Sequence, residues 1–221
     1  MKYLLSLLFV CTSLVAQDHF VIGICGGTCS GKTTFSGLLE SELGKRNINY
    51  VNQDAFYKPL DDLSMEERLL VNFDHPSSID FDLILETVRR LKSGKKGFIP
   101  KYSFELNTRV DGGKNISPRP IILVDGHLIY SSAELAKEID LKIYVDTDDD
   151  LRMLRRVTRD LKFRDLETIT KMYTERVMPM YKRYVKPTRS MANIVVFGDR
   201  DNSVTVKAIA TIAKNSVGHK E

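Results

Sequence analysis

The segment Gly26-Gly27-Thr28-Cys29-Ser30-Gly31-Lys32-Thr33 fits the spacing G-x-x-x-x-G-K-[ST], and its flanks constrain the fold more than any other feature. Before it, Phe20-Val21-Ile22-Gly23-Ile24 is an apolar run of strand length. After it, the stretch from Lys32 to about Leu43 has helical period, with Phe35, Leu38, Leu39 and Leu43 on one face. A strand, a glycine-rich turn and a helix in that order make a phosphate cradle. The turn must wrap backbone N–H groups around phosphate oxygens, so glycine is needed where a Cβ would collide or φ is positive. The helix start adds partial positive charge. Gly26, Gly27, Thr28, Cys29, Ser30, Gly31, Lys32, Thr33 and Thr34 are therefore the expected nucleotide-binding residues. Lys32 is expected on the β- and γ-phosphates, and the Thr33 hydroxyl on Mg²⁺. Cys25 reads as filling a tight spot at the strand end, and Cys29 as a plain loop residue, a thiol activated by Lys32 and the helix start being the other reading.

The alternation continues along the chain. Ile48 to Val51 is a short strand. Asp80 to Leu91 is an amphipathic helix with Leu83, Ile84, Val88 and Leu91 inward, stopped by Gly94. Lys95 to Val110 reads as a hairpin or an irregular insertion. Ile121–Val124 and Ile143–Val145 are continuous apolar runs, as in parallel strands covered on both faces. Asp148–Lys162 and Leu166–Val185 read as helices, Asn193–Phe197 as a last strand, and Ser203–Ala213 as a closing helix. Strands alternating with helices imply βαβ units and a doubly wound α/β sheet. With 221 residues and no linker or repeat, residues 18–221 read as one domain.

Composition closes off several functions. Lys plus Arg exceed Asp plus Glu by only 33 to 29, too little for a nucleic-acid binder. Three cysteines (Cys11, Cys25, Cys29) and four histidines (His19, His75, His127, His219) give neither a disulfide framework nor zinc-ligand spacing. Residues 1–17 stand apart. Met1-Lys2 followed by the apolar run Tyr3–Ala16 resembles a signal segment, but Leu14 sits where a small residue is preferred before a cleavage site. The run is also short of the ~20 residues that span a membrane. A mis-assigned start or an added N-terminal helix are the other readings. Cytoplasmic placement is expected from the ATP chemistry of the rest, with export or membrane contact left open should this segment be retained.

Phosphoryl transfer needs a group that orients the nucleophile and a second handle on the metal. Asp54 follows the Ile48–Val51 strand, and Asp125 follows Ile121–Val124, at strand ends where open α/β sheets place ligands. Arg152, Arg155, Arg156 and Arg159 recur at helical steps, followed by Lys162 and Arg164. They form either a solvated face paired with Asp148, Asp149, Asp150 and Asp160, or a lid over phosphates.

Several blocks together resemble the uridine (uridine–cytidine) kinases, within the phosphoribulokinase/uridine kinase superfamily of P-loop kinases. They are Gln53-Asp54-Ala55-Phe56-Tyr57-Lys58, Asn72-Phe73-Asp74-His75-Pro76, Pro100-Lys101-Tyr102-Ser103-Phe104 with Thr108-Arg109, Val145-Asp146-Thr147-Asp148, Arg155 to Asp160, and Lys186-Pro187-Thr188. The resemblance covers roughly Phe20 to Asn202. It implies a P-loop NTPase three-layer sandwich with a mostly parallel sheet, a small β-hairpin insertion and a helical lid. It further implies Mg²⁺-dependent transfer of the ATP γ-phosphate to a nucleoside 5′-hydroxyl, GTP being an open alternative donor, and a homo-oligomer; a kinase of the same fold acting on another small hydroxyl compound and a nucleotide-binding protein without turnover are the other readings.

By that resemblance Asp54 is the general base and lies close to the metal, which Thr33 and Asp125 position. Asp74 holds the ribose 2′- and 3′-hydroxyls, and Phe73, Tyr102 and Phe104 wall the nucleoside pocket. Asn107, Arg109, Arg156 and Arg164 complete the substrate contacts, and Lys32, Arg159 and Arg164 act on the transferring phosphoryl group. The chain departs from the family pattern in four places. Asp125 replaces the usual Glu. Asn107 stands where His contacts the base, and Met172 where Gln does. The lid at Lys162-Phe163-Arg164-Asp165 is about two residues short.

Overall fold

The computed structural model describes residues 19–217, so the N-terminal segment 1–17 lies outside it. In chain order the elements are β1 (Phe20–Cys25), α1 (Lys32–Leu43), β2 (Ile48–Asn52), α2 (Met65–Leu70) and α3 (Phe81–Lys92), then β3 (Gly97–Ser103), β4 (Thr108–Ile116), β5 (Ile121–Asp125), α4 (Ala133–Lys137) and β6 (Leu141–Asp146). Next come α5 (Asp149–Asp160) and α6 (Leu166–Met172), which runs on through a π-helical stretch (Tyr173–Val177), a short turn α7 (Met178–Met180) and a second π-helical stretch (Tyr181–Val185). Pro179 has no N–H to give to the preceding turn, which favours such widened turns. β7 (Ile194–Phe197) and α8 (Ser203–Ser216) close the chain. Among the described residues no helix is long and apolar enough to cross a membrane.

Five strands form a parallel sheet in the order β2-β5-β1-β6-β7. Side chains alternate between its faces, and each face has its own core. Phe20, Ile22, Ile24, Leu123, Ile143 and Val145 pack against α1 and α8 through Phe35, Leu39, Ile209 and Ala213. Val21, Val51, Ile122 and Val124 pack on the other face against α3 (Ile84, Val88, Leu91), α4 (Leu135) and Tyr181. That is the three-layer α/β sandwich expected. β3 and β4 pair antiparallel as the anticipated hairpin, which continues six residues past Val110 to Ile116.

The structure corrects one face. Leu38 is 47% exposed, and the buried stripe of α1 is Phe35, Ser36, Leu39 and Leu43. The helix is rotated so that Ser36 Oγ can donate to Asp125 Oδ2 (2.8 Å), which turns Leu38 outward. α2 and α4 are too short to show a period. Each begins at a serine cap, and at α2 Ser64 and Glu67 form a reciprocal box.

Tyr130 ties the sheet below the site. Its hydroxyl donates to the Gly23 carbonyl (2.7 Å) and accepts from the Ile143 N–H (2.8 Å), with the ring fully buried. Tyr130→Phe strands both backbone groups. It should cost about 1–3 kcal/mol of unfolding free energy, measurable as a lower guanidinium midpoint at unchanged slope.

Candidate active site

The turn between β1 and α1 has the conformation that its glycines allow. Gly26 has φ +151° and Gly31, the N-cap of α1, has φ +97°. A Cβ on Gly26 would strike the Val145 carbonyl. Lys32 Nζ folds back to donate to the Gly26 (2.9 Å) and Gly27 (3.0 Å) carbonyls. Ser30 is buried, and its carbonyl accepts from Thr147 Oγ1 (2.8 Å).

Helix α5 grips this loop from the side. Arg152 donates to the Thr28 carbonyl (3.4 Å), Arg155 to the Cys29 carbonyl (3.4 Å), and Arg156 to Thr28 Oγ1 (3.3 Å). Arg152 is 1% exposed, ion-paired with Asp149 (2.6 Å) and set over the Tyr181 ring (3.8 Å). It belongs to the scaffold. Arg156 and Arg159 both pair with Asp160 (3.2 and 2.7 Å) while also lining the cavity in front of the loop. Arg156 and Arg159 are therefore both ion-paired and cavity-lining.

That cavity, about 310 Å³, is lined by Thr28, Cys29, Lys32, Thr33, Asp54, Phe73, Asp74, Phe104, Asp125, Arg156 and Arg159. Asp125 ends β5, and its Oδ2 accepts from Ser36 Oγ and Tyr50 Oη (both 2.8 Å). Asp54 sits on a 3₁₀ turn after β2, where the Asn52 side chain accepts its N–H (2.8 Å). Burial pushes the Asp54 carboxyl above the usual carboxylate range, with Lys32 pulling it down and Asp125 pushing it up. Burial also raises Asp74, against the pull of Arg156, Arg159 and Arg176. Thr33, Asp125 and Asp54 supply a hydroxyl and two carboxylates, the hard oxygen donors that suit Mg²⁺.

A second cavity of about 180 Å³ shares Phe73, Asp74, Arg156 and Arg159 with the first and adds Asn107, Arg164, Met172 and Arg176. Asn107 takes φ +47° at the hairpin turn. Asn107 and Met172, where the resemblance implies base contacts, thus line one space. Tyr102 stands behind, packed against Tyr57 and Phe104 (both 5.1 Å between centroids), and Tyr57 meets Phe73 edge-on (5.3 Å). Phe104 is 68% exposed, a rim residue rather than core.

Several expected residues lie outside both cavity linings, Tyr102 and the turn residues Gly26, Gly27, Ser30 and Gly31 among them. Arg109 lines neither cavity; it pairs with Asp80 (3.0 Å) and donates to the Phe56 carbonyl (3.3 Å), tying the turn that carries Asp54 to the start of α3. Thr34 is exposed on the first turn of α1, outside the lining. The sequence reading passed over Asn52, Tyr57 and His127, all on the cavity wall. Asn52 lies two residues before the Asp54 N–H, a recognisable Asx turn. His127 lies just past a strand end, where ligands gather. It is part-buried and held neutral, its pKa lowered to about 3 by desolvation and by Lys32 and Arg156.

The chain is similar in sequence and in fold to known kinases. A uridine kinase of Limosilactobacillus reuteri (strain DSM 20016) is 37% identical over 206 residues, 91% of this chain and 94% of that protein. A uridine kinase of Halalkalibacterium halodurans is 35% identical over 199 residues, covering 89% and 94%. The solved phosphoribulokinase of Rhodobacter spheroides superposes with TM-score 0.62 at 18% identity, covering 82% of this chain and 70% of that one, a likeness of fold. The model of the Phosphoribulokinase / Uridine kinase family matches residues 21–205, and the chain belongs to that family.

Proposed function

We propose that this chain transfers the γ-phosphoryl group of ATP to the 5′-hydroxyl of a pyrimidine ribonucleoside, uridine or cytidine, giving UMP or CMP. The observation that carries this reading is the meeting of Lys32, Asp54 and Asp74 on the walls of one cavity at the mouth of the glycine turn. The uridine kinases similar over nearly their whole length supply the acceptor class.

The loop amides and Lys32 hold the donor phosphates. Thr33 and Asp125, with Asp54 beside them, would hold Mg²⁺, which when bound neutralises phosphate charge. Asp74 accepts both ribose hydroxyl protons, fixing the sugar with its 5′-oxygen toward Asp54. Asp54 takes the proton of the 5′-hydroxyl. The oxygen then bonds to the γ-phosphorus as the bond to the β–γ bridging oxygen breaks, and ADP leaves. Arg156, Arg159 and Arg164 neutralise the charge that spreads over the equatorial oxygens. Phe73 and Phe104 cover the nucleoside. Asn107 keeps an amide for the pyrimidine edge, whereas Met172 offers only apolar surface, so selection between bases rests on Asn107.

The test is turnover of purified protein with ATP, Mg²⁺ and a panel of uridine, cytidine, deoxyuridine, purine nucleosides and ribulose 5-phosphate. Uridine or cytidine is the expected acceptor, and turnover confined to another acceptor overturns the assignment. Asp54→Asn should lower kcat by roughly 10²–10⁴ while ATP binding is retained. Arg159→Ala should lower kcat by a factor on the order of 10³, with a smaller effect on the uridine KM. Met172→Gln restores an amide to the second cavity and should lower the KM for uridine relative to that for a purine nucleoside, read from initial rates on both.

A further inference from the structure

His127 has no part in the chemistry above, yet Gln53, itself held in place, fixes its ring. The Leu128 N–H donates to Gln53 Oε1 (2.8 Å), which settles the orientation of that amide. Gln53 Nε2 is then the donor in its 3.2 Å contact with His127 Nδ1. Nδ1 accepts, so the imidazole carries its proton on Nε2. Gly126 makes the arrangement possible, because a Cβ there would run into the Gln53 side chain, and Gln53 itself is fully buried.

The far nitrogen is the unusual one. Nε2 is buried without a hydrogen-bond partner, on a side chain only 14% exposed that lines the loop cavity. Asp74 Oδ1 lies 3.8 Å away, beyond hydrogen-bond reach. Buried donors are normally satisfied, so a donor aimed this carefully and left unpaired points to a ligand atom.

We propose that His127 is a specificity-determining residue that reads one hydroxyl of the acceptor jointly with Asp74. An ionised carboxylate only accepts, and this imidazole tautomer only donates toward the cavity. A hydroxyl seated to the side of this pair, within reach of both, gives its proton to Asp74 and receives the Nε2–H on its oxygen. A methylene in the same place satisfies neither. The inference rests on the acceptor reading above, which makes the group a 2′- or 3′-hydroxyl of the ribose.

The experiment compares kcat/KM for uridine, 2′-deoxyuridine and 3′-deoxyuridine in the wild type, His127→Phe (ring kept, donor removed) and His127→Gln (an N–H returned near the Nε2 position). His127→Phe should lose roughly 10- to 100-fold on uridine, with little change on the deoxynucleoside that lacks the hydroxyl being read and none in the KM for ATP. His127→Gln should recover part of the loss. An equal loss on all three nucleosides, or none on uridine, overturns the proposal. The ¹⁵N spectrum of histidine-labelled wild type at neutral pH checks the donor without any ligand or variant: an Nε2–H imidazole is expected, and an Nδ1–H tautomer overturns it. Wild-type protein that binds ATP but phosphorylates no nucleoside overturns the acceptor reading, and the ribose with it, while the tautomer still decides the donor.

Discussion

The register of three parallel strands sets everything at the catalytic edge. Asp125, the last residue of β5, is paired with Ile24 of β1 on one side and Asn52 of β2 on the other. The glycine turn, the second carboxylate and the Asp54 turn therefore leave the sheet at the same level. Slipping any of these strands by one residue would reverse its side chains between the two cores, so the hydrophobic layers that stabilise the domain also align its polar end.

Helix α5 shows how one basic element serves two purposes. Arg152 and Arg155 spend their donors on the carbonyls of the glycine turn, bracing the turn from the side. Arg156 and Arg159, on the neighbouring stripe, reach the cavity while Asp160 restrains them. Burying Arg152 is tolerable only because Asp149, the Tyr181 face and two carbonyls surround it.

Much of this was legible in the sequence. The apolar runs of β1, β5 and β6 announced buried parallel strands, and the glycine spacing announced the turn between β1 and α1. Periodicity could not see that Ser36 rather than Leu38 faces inward, because that depends on a hydrogen bond to a residue 89 positions away. Nor could it place Arg109, whose partner Asp80 becomes a neighbour only through the hairpin. The resemblance put Asn107 and Met172 in contact with a base, and the structure brings both to one cavity. His127 fell outside that reading because its significance comes from Gln53 and Gly126, neither of which signals anything alone.

The resting posture of Lys32 has a consequence for how nucleotide enters. Its ammonium is already solvated by two peptide dipoles at 2.9 and 3.0 Å, so an arriving triphosphate exchanges partners rather than rescuing a bare cation. Phosphate oxygens outcompete carbonyls only by virtue of their full charge. The swap therefore favours densely anionic guests over neutral or singly charged ones.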